Sequence, residues 1–304
     1  MFTTFRFISL AILALIAAPG TASADTDGTI AVDGVTRSYV VHVPVHLAPI
    51  ARLVLAFHGH GESVADEITS TKLSEFSDEY GFIVAYPVGI NGGWNDGLLG
   101  IDTSDDVGFA RALIKQLAEQ YHVGNDFVFA TGFSNGAVFS QRLACAEGAP
   151  VAAIAPISGT IVEDVANGCH ANRNVSMLAI HGTKDPFLPF GGGQPNLKKR
   201  GNVVSFAGTL EFWARADHCR ADVRKEAVPP TEPADDTHAV KWIFPACASG
   251  VDVVGYEIVG GGHTIPGGPQ YKPVSAIGIA SNQLQASRAI VEFFMSRKPP
   301  NAGG

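Results

Sequence analysis

Positive charge is scarce in this sequence. Its 21 Lys and Arg face 29 Asp and Glu, a formal net charge of -8, and its basic run is only Lys198-Lys199-Arg200. A phosphate backbone needs a row of cations to displace its counterions, so a nucleic-acid partner is excluded and the triplet reads as solvated loop. Long apolar runs are absent as well. The stretch Phe7 to Ala18 falls short of the roughly 20 residues of a membrane span, and no later stretch is apolar enough to cross. With Arg6 before it and Ala22-Ser23-Ala24 behind it, this stretch reads as a signal peptide, residues 1–24, removed to leave a chain beginning at Asp25. A membrane anchor is the rival reading. No cysteine follows the small-residue site, so lipid attachment has no support.

Repeats, low-complexity tracts and Ser/Thr/Pro linkers are also missing. With 46% hydrophobic residues and 34 glycines, residues 25–304 are expected to bury one core as a single domain, of a size that can hold a catalytic site. The four cysteines include no CxxC and no Cys/His spacing suited to zinc. In the oxidising compartment that export implies, they are expected to pair. Three connectivities are possible, and the one closing the two shortest loops joins Cys145 to Cys169 and Cys219 to Cys247. A loop of that length contributes about 3 kcal/mol when native strain is small.

What is present is an alternation of two periods. Asp33-Gly34 reads as a tight hairpin turn between strands Thr29 to Val32 and Arg37 to Val43. Short apolar runs then follow at Leu53 to Phe57, Phe82 to Tyr86, Phe127 to Ala130, Ala152 to Ile157, Met177 to Ile180 and Val253 to Val259. Several are too continuous to be half-exposed strands. Between them lie helix-period segments at Val64 to Tyr80, Asp105 to Tyr121, Ala137 to Glu147, Ser205 to Ala216 and Gln283 to Ser296. The alternation predicts an α/β fold: a mainly parallel sheet with helices on both faces, opened by an antiparallel hairpin. Ala221 to Asp236, rich in proline and acids, reads as a surface excursion.

In such sheets chemistry collects in loops at the carboxyl ends of strands. Phe127 to Thr131 leads into Gly132-Phe133-Ser134-Asn135-Gly136 and then a helical segment, the context a nucleophile elbow needs. There Ser134 would stand exposed on a strained turn, with the Asn135 amide aimed at a forming oxyanion. A serine hydroxyl needs a base, and the base a carboxylate. Met177 to Ile180 runs into His181-Gly182-Thr183-Lys184-Asp185, and Val253 to Val259 into Gly260-Gly261-Gly262-His263. The order Ser134, Asp185, His263 is that of an α/β-hydrolase triad. His181 is the nearest rival for the base, but Asp185 follows it too closely in one loop to come from a separate strand. Asp105 and Asp106 open a helix and read as caps. His42, His46, His122, His170, His218 and His238 read as ordinary surface or core histidines. The second oxyanion donor is assigned to the backbone N–H of His60, in His58-Gly59-His60-Gly61 after an early strand; a turn without a role is the alternative.

These segments, with Gly92-Gly93-Trp94-Asn95-Asp96, Asp105-Asp106-Val107-Gly108-Phe109 and Gly261-Gly262-His263-Thr264-Ile265-Pro266-Gly267-Gly268, resemble those of secreted esterases related to polyhydroxybutyrate depolymerases and feruloyl esterases. The resemblance implies an α/β-hydrolase fold, the triad Ser134, Asp185 and His263, and the shortest-loop disulfides. It also implies that Trp94 lines the substrate cleft, a packing role being the alternative. Two positions depart from the family pattern. His60 stands where many relatives have cysteine, and Ile265, beside the base and expected with Trp94 to bind substrate, stands where they have tryptophan.

The expected activity is hydrolysis of hydroxyalkanoate oligomers or feruloyl-type esters through an acyl-enzyme, without a cofactor. The depolymerases that erode solid polymer usually add a linker and a binding module, so soluble or oligomeric esters are the expected partners. Two other classes stay in view. One is a metal-dependent hydrolase built on the HxH of His58 and His60, a reading that wants an aspartate after the last histidine; none follows His263. The other is a non-catalytic secreted binding protein on a hydrolase scaffold.

Overall fold

The computed structural model describes residues 23–98, 104–148, 151–171, 173–197, 201–231, 233–248 and 250–298. The apolar stretch 7–18 and the basic triplet 198–200 lie outside them. Among the described residues ten strands form one sheet: β1 (Ala24–Val32), β2 (Val35–Val43), β3 (Ala51–Phe57), β4 (Ile83–Pro87), β5 (Val123–Phe133), β6 (Ala153–Ile157), β7 (Ser176–Gly182), β8 (Arg224–Ala227), β9 (His238–Phe244) and β10 (Val253–Val259). Their order across the sheet is β1-β2-β4-β3-β5-β6-β7-β10-β9-β8. The six central strands, β4 to β10 in that order, run parallel. An antiparallel pair closes each edge.

The continuous apolar runs become central strands because both of their faces are covered. In β3, Leu53, Leu55 and Phe57 point into one core layer while Val54 and Ala56 point into the other. The same alternation divides Val128 and Ala130 from Phe127 and Phe129 in β5. Eight helices are described: α1 (Val64–Thr71), α2 (Leu73–Tyr80), α3 (Asp106–Tyr121), α4 (Asn135–Cys145), α5 (Glu163–Asn167), α6 (Phe206–Ala216), α7 (Val274–Ile277) and α8 (Ala286–Met295). α3 and α6 cover the first layer with Phe109, Leu113, Leu117, Phe206, Leu210 and Trp213. Leu73 of α2 and Ile290, Val291 and Phe294 of α8 cover the second.

The predicted helix Val64 to Tyr80 is two helices. Lys72 takes a left-handed conformation (φ 54°) and its N–H closes α1 on the Ile68 carbonyl at 2.8 Å. The last turn of α1 is weakened from within, since the hydroxyls of Thr69 and Thr71 donate back to the carbonyls of Ala65 (2.8 Å) and Glu67 (2.7 Å). The described residues of Ala221 to Asp236 lie at the surface, as predicted for that excursion, but they are not all loop. The excursion carries β8, an edge strand whose four residues are all exposed and so show no alternation. Cys145–Cys169 and Cys219–Cys247 are both bridged.

Candidate active site

β5 ends in the turn that the sequence marks. Gly132 and Gly136 let it pass under the end of β3: a Cβ on Gly136 would lie 2.0 Å from the Phe57 carbonyl oxygen, and one on Gly132 2.7 Å from the same atom. Between them Ser134 is held at φ 55°, ψ -117°, a strained conformation for a residue with a side chain. Two backbone bonds fix it there: its N–H donates to Ile157 at 2.9 Å, and its carbonyl accepts the Val138 amide at 3.1 Å. Asn135 then opens α4, so its N–H has no acceptor within the helix.

The loops after β7 and β10 bring the other two residues to this serine. His263 Nε2 lies 2.8 Å from Ser134 Oγ, and its Nδ1 lies 2.6 Å from Asp185 Oδ2. That geometry fixes the tautomer: Nδ1–H donates to the carboxylate and Nε2 accepts from the hydroxyl. Asp185 is further held by the amides of Phe187 (2.8 Å) and Leu188 (2.9 Å) on Oδ1. Burial pushes its carboxyl up, but the hydrogen bond and charge of His263, with those lesser contacts, outweigh this and hold it below the usual carboxylate range. The His263 ring packs against Phe133 and Phe187, and its carbonyl accepts the Tyr271 hydroxyl at 3.1 Å.

His181, the rival base, is occupied elsewhere. Its Nε2 donates to the Leu188 carbonyl at 2.9 Å with Asp185 Oδ2 at 3.4 Å, and burial holds its pKa down. It serves as a neutral prop behind Asp185. Of the caps, Asp105 accepts the Gly108 amide at 2.8 Å as expected. Asp106 does not act as a cap: it is buried in an ion pair with Arg37 at 2.6 Å. His42 is buried between two carboxylates, Asp25 at 2.8 Å and Asp78 at 3.2 Å. The five other surface candidates, His46, His122, His170, His218 and His238, are exposed.

In the loop after β3, the amides of Gly59 and Gly61 are engaged by Glu62 Oε2 (2.9 Å) and the Gly92 carbonyl (2.7 Å). Among the described residues the His60 N–H between them has no acceptor, and His60 faces the same cleft as Ser134 and Asn135. Both nitrogens of His58 are taken by backbone: Nδ1 donates to Gly59 O at 2.8 Å and Nε2 accepts the Gly89 amide at 3.1 Å. The HxH is therefore a structural brace, with no lone pair of His58 left for a metal.

The cleft above Ser134 has a volume of about 460 Å³. One part of its wall is apolar, from Leu98, Phe133, Val138, Phe187, Leu188 and Leu197, and another is polar, from Glu62, Asp66, Ser70, Asp96 and Lys272. Burial raises the Glu62 carboxyl within it. Neither Trp94 nor Ile265, expected on this wall, is there. Trp94 is 0% exposed, stacked on Phe139, edge-on to Phe57, and donates Nε1–H to the His58 carbonyl at 2.9 Å. Ile265 is 6% exposed and belongs to the α8-side core layer. Aromatic contact with the His263 ring comes instead from Phe133 and Phe187, with Tyr271 edge-on to Phe133.

A family model of phospholipases and carboxylesterases matches residues 102–209. Over 285 residues the chain is 31% identical to the putative esterase NocK of Nocardia uniformis subsp. tsuyamanensis, covering 88% of this chain and 81% of that one. The chain belongs to the α/β-hydrolase esterases. This esterase is also 28% identical over 283 residues to feruloyl esterase C of Emericella nidulans, covering 89% and 87% of the two chains. Its fold is shared with an acetyl xylan esterase from Aspergillus awamori, at a TM-score of 0.56 and 17% identity over 79% of this chain and 95% of that one. Among its described residues no helix is long and apolar enough to cross a membrane.

Proposed function

We propose that this esterase is an exported serine hydrolase, residues 25–304 forming its catalytic domain, that cleaves soluble feruloyl-type and related small carboxylic esters. The observation that carries the reading is the unbroken line Asp185–His263–Ser134, at 2.6 and 2.8 Å, opening into an apolar-walled cleft. His263 takes the Ser134 proton as Oγ attacks the ester carbonyl, and gives it to the departing alcohol. Water then attacks the acyl-enzyme, with His263 again as base. The amides of Asn135 and His60 donate to each tetrahedral oxyanion, a contribution of about 3 kcal/mol per donor. No cofactor enters either step. The rings of Phe133, Phe187 and Tyr271 near Ser134 suit a planar aromatic acyl group, and one relative bears the name feruloyl esterase C. Export accords with the signal-like residues 1–24 and with both disulfides.

The test is hydrolysis of a feruloyl ester, a short acetyl ester and a hydroxybutyrate dimer by the wild type and by Ser134→Ala. The feruloyl ester is expected to have the highest kcat/KM and Ser134→Ala to lose turnover of all three. Retained activity in Ser134→Ala overturns the serine mechanism, and preference for the hydroxybutyrate dimer moves the substrate to the hydroxyalkanoates.

A further inference from the structure

The sequence motif Gly92 to Asp96 supplies no catalytic group, and its tryptophan is buried away from the cleft. Its polar atoms nevertheless converge on Asn135. Asn135 Oδ1 accepts the Trp94 amide at 2.7 Å, and its Nδ2 donates to the Trp94 carbonyl at 3.1 Å and to Asp96 Oδ2 at 2.5 Å. Asp96, 2% exposed, turns its other oxygen to the Leu98 amide at 2.9 Å. The side chain beside the nucleophile is thus held on its oxygen and on its nitrogen.

The clamp has its own anchor. The Asn95 amide donates to Asp106 Oδ2 at 2.7 Å, and Asp106 Oδ1 accepts from Arg37 at 2.6 Å. Arg37 lies over the Phe109 ring at 4.1 Å. From the α4 side, Arg142 donates to the Asn95 carbonyl at 2.6 Å and to the Asn95 side-chain oxygen. A buried polar chain therefore runs from the N-terminal hairpin, through the start of α3, to the residue following Ser134. Such a chain rigidifies what it ends on, because every partner it loses is a buried group left unpaired.

We propose that Asp96 is a positioning residue of the oxyanion site: through Asn135 Nδ2 it fixes the aim of the Asn135 amide, with the Arg37–Asp106 pair as its anchor. The inference rests on the reading of the Asn135 N–H as an oxyanion donor. An amide a few tenths of an ångström off line loses transition-state stabilisation while ground-state binding, set by the apolar side of the cleft, is little changed, because Asp96 is only 2% exposed. The effect belongs in kcat.

The test uses the full chain and a short aryl acetate, with a trifluoromethyl ketone as a tetrahedral mimic. Asp96→Ala is expected to lower kcat by about tenfold to a hundredfold with KM within about threefold of wild type. Affinity for the ketone should fall in parallel with kcat, and Asp96→Asn, which can still accept from one partner, should lie between the two. Asn95→Ala leaves the Asp96 carboxylate in place but removes the side-chain tether to Arg142 and Ser104; it should give a weaker version of the same pattern, and serves if Asp96→Ala fails to fold. Wild-type kcat and ketone affinity in Asp96→Asn and Asn95→Ala, or a rise in KM alone, overturns the positioning role. Labelling of the wild type at Ser134 by a fluorophosphonate separates the two levels: with labelling, such a result removes only the role of Asp96, and without it the serine reading itself has failed.

Discussion

Asp185 divides its carboxylate between the backbone and His263, Oδ1 taking two backbone amides and Oδ2 taking the imidazole. Asp185→Asn can keep the first pair of bonds, so the fold should survive. The amide would then present N–H to His263 Nδ1 and force the ring into the tautomer that protonates Nε2. With Nε2 no longer able to accept the serine proton, kcat should fall by about 10⁴-fold while Tm changes little; a loss under tenfold would remove Asp185 from its assigned role. That Ser134, Asp185 and His263 meet was legible in the sequence because each lies just after an apolar run, so backbone topology alone delivers it to the sheet's carboxyl edge. Trp94 and Ile265 were not legible. Their directions are decided by distant partners, Phe139 and the His58 carbonyl for one and the α8-side core for the other. Asp106 looked like a cap because it sits beside one; its partner Arg37 lies in the N-terminal hairpin, out of reach of any local pattern.

At the scale of elements, α4 carries the Ser134 turn at one end and Cys145 at the other. The bridge to Cys169 ties that far end to the chain leaving α5 across 24 residues. Replacing both cysteines by serine should cost about 3 kcal/mol, lowering Tm by several degrees. Activity at room temperature should persist, since Ser134 is set by β5, β6 and the first turn of α4. An unchanged Tm, read by calorimetry with the Cys219–Cys247 bridge intact, would show that this bridge adds nothing. The central strands were legible because burial on both faces writes them as unbroken apolar runs. β8 and β9 were not: β8 is exposed at all four positions, and β9 is separated from it by a proline-rich stretch that hides the pairing. The break at Lys72 was missed because helical periodicity carries across it; the backbone reversal shows only in the left-handed φ.

The whole molecule's response to pH is shaped by carboxyls away from the cleft. Burial, only partly offset by the Val175 amide, raises Asp217 to about 7, and among the described residues its Oδ2 has no partner. Burial likewise drives Glu67 well above its usual value, with neither oxygen paired among those residues. An acid whose folded pKa exceeds its unfolded one binds its proton more tightly when folded. Stability from it is complete in acid and is lost as pH climbs from the unfolded value toward the folded one. For Asp217 that window runs from 3.8 to about 7, a swing of up to about 4 kcal/mol. Tm should therefore decline between about pH 4 and about pH 7, and Asp217→Asn should remove much of the decline. An equal decline in the variant would place the sensitivity elsewhere.

The backbone at Ser134, φ 55° and ψ -117°, implies a trade between durability and reactivity. A glycine adopts that conformation freely, so Ser134→Gly releases about 1–3 kcal/mol of local strain against a smaller penalty from the greater entropy of its unfolded chain. The inactive variant should therefore melt above the working enzyme in a thermal scan. If it melts below, the turn is not where this protein gives up stability for function.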